Sequence, residues 1–163
     1  MALSASGEWV LLAYRLPREP STPRIALWRK LRRLGAVQLV DGLVALPASA
    51  RTREQLEWLA DEVVDAGGEA WVWVARAGSQ AQERALLARM AAAVGEEYEA
   101  VRAEAHAAVE GDGGTRRLVE RLRRELHRIE ARDHASPQAH ERARRAVEQL
   151  ATTLDVAAAK VPR

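Results

Sequence analysis

An α+β fold is what this 163-residue sequence predicts: a small sheet domain over residues 1–78 and a helical extension over residues 79–163. Three observations carry that reading. Short strand-like apolar runs alternate with amphipathic helical segments in the first half. Asp41-Gly42 sits between two such runs, a strong hairpin signal. After Gly78 the composition shifts to Ala, Glu and Arg, with apolar residues recurring every three to four positions. Apolar residues make up 48 % of the chain, enough for a real core. With no phenylalanine, the bulk falls to leucine, valine and five tryptophans, Trp9, Trp28, Trp58, Trp71 and Trp73. These place the densest core in the first half.

The elements follow in order. Trp9 to Leu16 reads as a buried strand, ended by Pro17, Pro20 and Pro23, each of which removes a backbone donor and fixes φ. Ser21 or Thr22 caps the next helix, with Pro23 near its first position. That helix sets Ile25, Leu27, Trp28, Leu31 and Leu34 on an apolar side and Arg29, Lys30, Arg32 and Arg33 on the other, and Gly35 stops it. Residues 37–40 and 43–46 form a hairpin, predicted to turn through Asp41-Gly42 as type I′. A second helix over 51–66 buries Leu56, Leu59, Ala60 and Val63. Gly67-Gly68 ends it, and residues 70–75 form the last strand, with Trp71 and Trp73 on one face and Val72 and Val74 on the other.

The resulting order, β-α-β-β-α-β, is the ferredoxin-like arrangement, in which two helices cover one face of a four-stranded antiparallel sheet. Because the strands are apolar on both faces, the second face is expected to be covered by a second subunit or by the rest of the chain. Three helices follow, over about 79–109, 115–132 and 138–155. They are separated by Gly111-Asp112-Gly113-Gly114 and by Ser136-Pro137, and the tail from Val156 is expected to fray. Each has one apolar stripe, so they must pack on one another or on the sheet.

Charge and chemistry narrow the function. The net charge is only +2, and Lys+Arg against Asp+Glu counts 10 to 9 before residue 79 and 15 to 14 after it. Any binding field therefore comes from local arrangement. The absence of cysteine excludes thiolate catalysis, disulfides and thiolate metal sites and fits a reducing cytoplasm. The start, MALSASGEWVLLAY, lacks the charged region of a signal peptide, and no apolar run is long enough to span a membrane. No phosphate-binding loop, zinc-protease motif or nucleophile elbow occurs, so no enzyme activity and no cofactor are predicted. Asp133, His134, His140 and Glu130 cluster in sequence but match no metal-ligand spacing, and no metal site is predicted.

Two basic stripes remain. Arg24, Arg29, Lys30, Arg32 and Arg33 form a patch on the first helix with only Glu19 near it in sequence. Arg117, Arg121, Arg124 and Arg128, continued by Arg132, line the helix over 115–132, where Glu120 and Glu125 stand at ion-pairing distance along the helix from Arg124 and Arg121. Either stripe can follow a phosphate backbone. The first is the less balanced by acids.

The run WVLLAYRLPREPSTPRIALWRKLRRLGAVQLVDGLVALP resembles the N-terminal domain of the chromate-resistance regulator ChrB. The features that carry it are an aromatic strand ending in Leu-Pro, a helix with Trp-Arg and Leu, the Gly-Ala turn, Gly42 in the hairpin and the closing Leu-Pro. Further on, Glu97-Tyr98 resembles the family's Glu-Tyr pair and Ile129 to Asp133 its Ile-x-x-x-Asp, so that the resemblance spans residues 8–155. In place of the aromatics that follow that aspartate in the family stand His134 and Ala135. The central domain of the phenylacetate-degradation repressor PaaX is a more distant likeness. Both imply a transcription regulator. The expectation is a cytoplasmic, DNA-linked homodimer of the chromate-resistance type, with chromate as an effector of the full regulators, which carry a second, C-terminal domain that this chain is expected to lack. Small CRISPR-associated endoribonuclease-like proteins share the frame and place a candidate catalytic carboxylate at the end of the first strand, where this chain has Ala13-Tyr14-Arg15 and no acid. The competing expectation is a protein-interaction and dimerisation module without nucleic-acid binding.

Overall fold

The computed structural model describes residues 7–111 and 113–159. The chain start to Ser6, Asp112 in the glycine-rich break, and the tail after Ala159 lie outside them. The protein is α+β, with a four-stranded antiparallel sheet and five helices among the described residues. In order these are β1 (Glu8–Arg15), α1 (Thr22–Leu34), β2 (Val37–Val40), β3 (Leu43–Pro47), α2 (Ala50–Asp65), β4 (Glu69–Arg76), α3 (Gln80–Glu110), α4 (Arg116–Glu130) and α5 (Pro137–Ala159). Two compact units divide inside α3, one running to Met90 and the other from Ala91. The first turns of α3 thus group with the sheet although the composition changes earlier, at Gly78. The tail expected to fray from Val156 remains helical to Ala159.

In the first unit the strand order is β2-β3-β1-β4, and every neighbouring pair is antiparallel. Register sets the faces. Val10 lies opposite Leu46 and Val74, and Leu12 opposite Val44 and Val72. Val10, Leu12, Val44 and Leu46 are all buried, as are Leu27 and Leu31 of α1 and Leu56, Leu59 and Val63 of α2. This is the main core, with α2 lying on β1 and β4. The other face carries Trp9, Leu11, Ala45, Trp71, Trp73 and Ala75. The start of α3 covers part of it: Gln82, Ala85, Leu86 and Arg89 line a cleft of about 370 Å³ with Trp9, Leu11, Leu39, Ala45 and Ala75.

Local chemistry explains the ends of the elements. Ser49 and Thr52 form a reciprocal cap on α2: the Ser49 hydroxyl accepts from the Thr52 N–H at 3.1 Å, and the Thr52 hydroxyl accepts from the Ser49 N–H at 2.9 Å. Gly35 closes α1 in the left-handed region at φ 73°. The hairpin differs from expectation. Gly42 has φ 75°, but among the described residues none other than glycine has positive φ, so Asp41 does not, and type I′ is excluded. The close neighbour of Gly42 is β1: a Cβ there would lie 2.5 Å from the Tyr14 carbonyl oxygen, while the Gly42 carbonyl accepts from the Tyr14 N–H at 2.7 Å.

The tryptophans do not build the core. Trp9 alone is buried; Trp28, Trp58, Trp71 and Trp73 are 51 %, 63 %, 65 % and 61 % exposed. Trp71 and Trp73 share a face as expected, but β4 is an edge strand and the start of α3 covers the sheet on the other side of Trp9.

The second unit is a helical core in which Val94, Tyr98, Val101 and Ala105 of α3 meet Val119, Leu122, Leu126 and Ile129 of α4 and Ala143, Ala146, Val147 and Leu150 of α5. The apolar stripes expected on α4 and α5 face this core, as does that of α3 from Val94 on, with Leu154 only half-buried.

Candidate nucleic-acid interface

At 100° per residue, Leu27, Leu31 and Leu34 of α1 fall within about 60° of one another, whereas Trp28 lies about 100° and Ile25 about 160° from Leu27. The structure follows that geometry. Leu27 and Leu31 are buried, and Ile25 and Trp28 stand about half exposed on the same outer face as Arg29 and Arg32. The face is therefore basic and apolar together, not the purely basic side expected. The Arg32 guanidinium lies 4.9 Å from the centroid of the Trp28 ring, a cation–π contact that holds both side chains outward.

The five basic residues predicted on this helix have different partners. Arg24, Arg29 and Arg33 are exposed and form no ion pair among the described residues. Lys30 is engaged, its Nζ 2.6 Å from the Glu62 carboxylate of α2. Arg32 is committed to Trp28 but remains exposed. The helix has no acid of its own, and its last turn is basic, which suits the negative end of the helix dipole.

The α4 stripe is arranged otherwise. Arg121 is ion-paired to Glu104 of α3, Arg128 to Glu125 at 2.8 Å, and Arg132 to Glu97. On the neighbouring face Arg123 pairs with Glu148 of α5 at 3.0 Å and Arg116 with Asp155 at 3.4 Å. Arg117 and Arg124 are exposed with no ion pair among the described residues. Arg121 thus reaches across to α3 and not along its own helix to Glu125.

The cluster near the α4–α5 break is a structural joint. The Tyr98 hydroxyl donates to Asp133 Oδ2 at 3.0 Å, and Asp133 Oδ1 accepts from the backbone N–H groups of Ala135 and Ser136 at 2.9 and 2.8 Å. His140 stacks edge-on against Tyr98 at 5.7 Å. Burial, then the Asp133 charge, pushes the Tyr98 phenol well above its ordinary value. Glu97-Tyr98 and Arg132-Asp133, distant in sequence, therefore meet as two pairs that tie α3 to the end of α4.

Comparison with known proteins bears on the same stretch. The family model described as Protein ChrB, N-terminal, matches residues 24–111, from the start of α1 to the end of α3. The chain belongs to this family. It is also 38 % identical over 93 residues to Protein ChrB of Cupriavidus metallidurans, an alignment that takes in 54 % of this chain and 29 % of that protein. The chain thus matches less than a third of its curated relative's length. No solved structure matches it. The matched span of the ChrB family holds the whole basic face of α1, whereas Arg117, Arg121, Arg124, Arg128 and Asp133 lie beyond it. Among the described residues no helix is long and apolar enough to cross a membrane, and no three acidic or histidine side chains are grouped to hold a metal ion.

Proposed function

We propose that this ChrB-type chain is a regulatory domain in chromate resistance, built on a ferredoxin-like sheet, that contacts DNA backbone through the outer face of α1. The observation that carries the reading is the set of exposed guanidinium groups of Arg24, Arg29 and Arg33, without an ion pair among the described residues and flanked by Arg32 and Trp28, on a helix without acids. Each phosphate neutralised releases counterions, so affinity falls as salt rises. The α4 arginines are a secondary surface because acids hold two of its four. Family membership supports the link to chromate resistance. Chromate as effector belongs to the proposal for the larger regulator, as does action in the cytoplasm. No catalytic role is proposed.

The test is fluorescence anisotropy with mixed-sequence duplex DNA across a salt series. Replacing Arg29, Arg32 and Arg33 together with Gln should flatten the slope of log affinity against log salt by about two to three units. The same change at Arg117, Arg121 and Arg124 should flatten it less. Absence of binding by the intact chain at low salt overturns the reading and favours the interaction module, for which the exposed tryptophans of β4 are the specific support.

A further inference from the structure

The two edges of the sheet are unlike. β2 is four residues long, its pairing with β3 is irregular between Gln38 and Val40, and the Arg89 guanidinium donates to the Gln38 carbonyl. These are the devices by which sheets discourage further pairing: a short edge, a bulge and a charged cover. Among the described residues β4 has none of them. It runs eight residues, keeps one unbroken register with β1 from Glu69 to Arg76, and contains no proline or lysine. Its two charges stand at its ends and are drawn back to β1, Glu69 to Arg15 at 3.0 Å and Arg76 to Glu8 at 3.3 Å. Between them Trp71, Val72, Trp73 and Val74 form an apolar edge.

We propose that β4 pairs antiparallel with β4 of a second copy, joining two four-stranded sheets into one of eight strands. The inference is independent of the DNA reading. Four features of the edge select a second copy as occupant.

First, Trp71 and Trp73 put the largest exposed side chains of the sheet on the edge strand β4. The start of α3 overlies the sheet beside Trp9, Leu11 and Ala45, so stacking face on face is obstructed there, while Trp71 and Trp73 remain 65 % and 61 % exposed. Second, the strand is self-complementary. A two-fold axis normal to the sheet keeps each face on its own side, so only residues of like parity can pair. With Val72 on the axis, Trp71 of each copy lies opposite Trp73 of the other, making two cross-strand aromatic pairs. The same arrangement sets Glu69 of each copy opposite Ala75 of the other, so no like charges meet along the new pairing.

Third, the neighbouring helix continues the surface. Glu62 of α2 faces α1 through Lys30, and Val64, about 200° further round the helix, lies on the opposite flank, beside the free side of β4. Val64 and Val74 are 55 % and 51 % exposed. Fourth, the area suffices. The two tryptophans offer on the order of 300 Å² per copy. Both copies together with Val64, Val74 and the strand backbones approach the ~1,200 Å² at which stable interfaces begin.

The experiment uses the full chain, of 18.0 kDa per copy. Light scattering at roughly 100 µM should give twice that mass, and the double substitution Trp71→Glu, Trp73→Glu should halve it without altering the far-ultraviolet spectrum. Because the chain has no cysteine, one introduced thiol reads the geometry cleanly. Val72→Cys should form a disulfide-linked dimer on mild oxidation, and Val40→Cys on the opposite edge should not. If Val72→Cys fails to fold, a nitroxide at Trp73→Cys, read by pulsed electron resonance, should show two labels close together. A wild-type monomer leaves the edge to some other occupant and overturns the proposal. So does a dimer that survives the double substitution, one that links through residue 40, or one whose labels at 73 lie far apart.

Discussion

In the sheet unit four of the chain's five tryptophans stand more than half exposed, on α1, α2 and β4, while in the helical unit the largest side chain, Tyr98, is 1 % exposed and donates its only hydroxyl proton to Asp133. Charge divides less sharply. Arg121 and Arg123 of the helical unit reach Glu104 and Glu148 on neighbouring helices, while Arg117 and Arg124, like Arg24, Arg29 and Arg33 of α1, reach no acid among the described residues. The helical unit buries its bulk internally. The other leaves an apolar strand edge and a basic helix face for partners, and that contrast is why both proposals fall on the sheet unit.

The largest effect should come from removing bulk on each side of the comparison. Leu122→Ala opens a cavity in the helical core and should cost about 2–5 kcal/mol in urea unfolding. Trp73→Ala, though a larger truncation, should change the stability of the dilute chain by no more than about 0.5 kcal/mol. A large loss from Trp73→Ala in dilute solution would show that the edge tryptophans are core after all.

Next come the glycines. Gly42→Val forces a branched residue to φ 75° and sets its Cβ against the Tyr14 carbonyl, and should cost about 2–3 kcal/mol. Gly95, inside α3, has open space where a Cβ would stand, so Gly95→Ala should stabilise by about 0.5–1 kcal/mol. Equal effects at the two sites would mean that the hairpin does not press on β1.

The last effect concerns the α3–α4 joint. Tyr98→Phe should cost about 1 kcal/mol at neutral pH. The sign with pH follows from burial. The unfolded tyrosine ionises near 10, and the folded one is held neutral above that, so its contribution is complete below pH 10 and is lost as pH rises further. The Tyr14 phenol is raised too and remains in the variant. Tyr98→Phe should therefore show a shallower loss of stability above pH 10 than the parent chain, checked by urea melts between pH 8 and pH 11.

Local chemistry by itself determined the element sequence of this protein. Prolines 17, 20 and 23, Gly35 and the apolar stripes of α3, α4 and α5 act within a few residues of their own positions, so their consequences are legible without a fold. The basic residues of α1 were legible in the same way, although Ile25 and Trp28 were grouped with the core when their helical angles set them apart from Leu27 and Leu31. Tertiary structure decided what could not be read locally. Which strand is an edge depends on pairings tens of residues apart, so nothing within Trp71–Val74 reveals that its apolar residues stay exposed. Which arginine is free depends on the helix packed beside it: Lys30 loses its freedom to Glu62, and Arg121 to Glu104, because folding brings acids from other helices within reach, and no spacing along one helix records that approach.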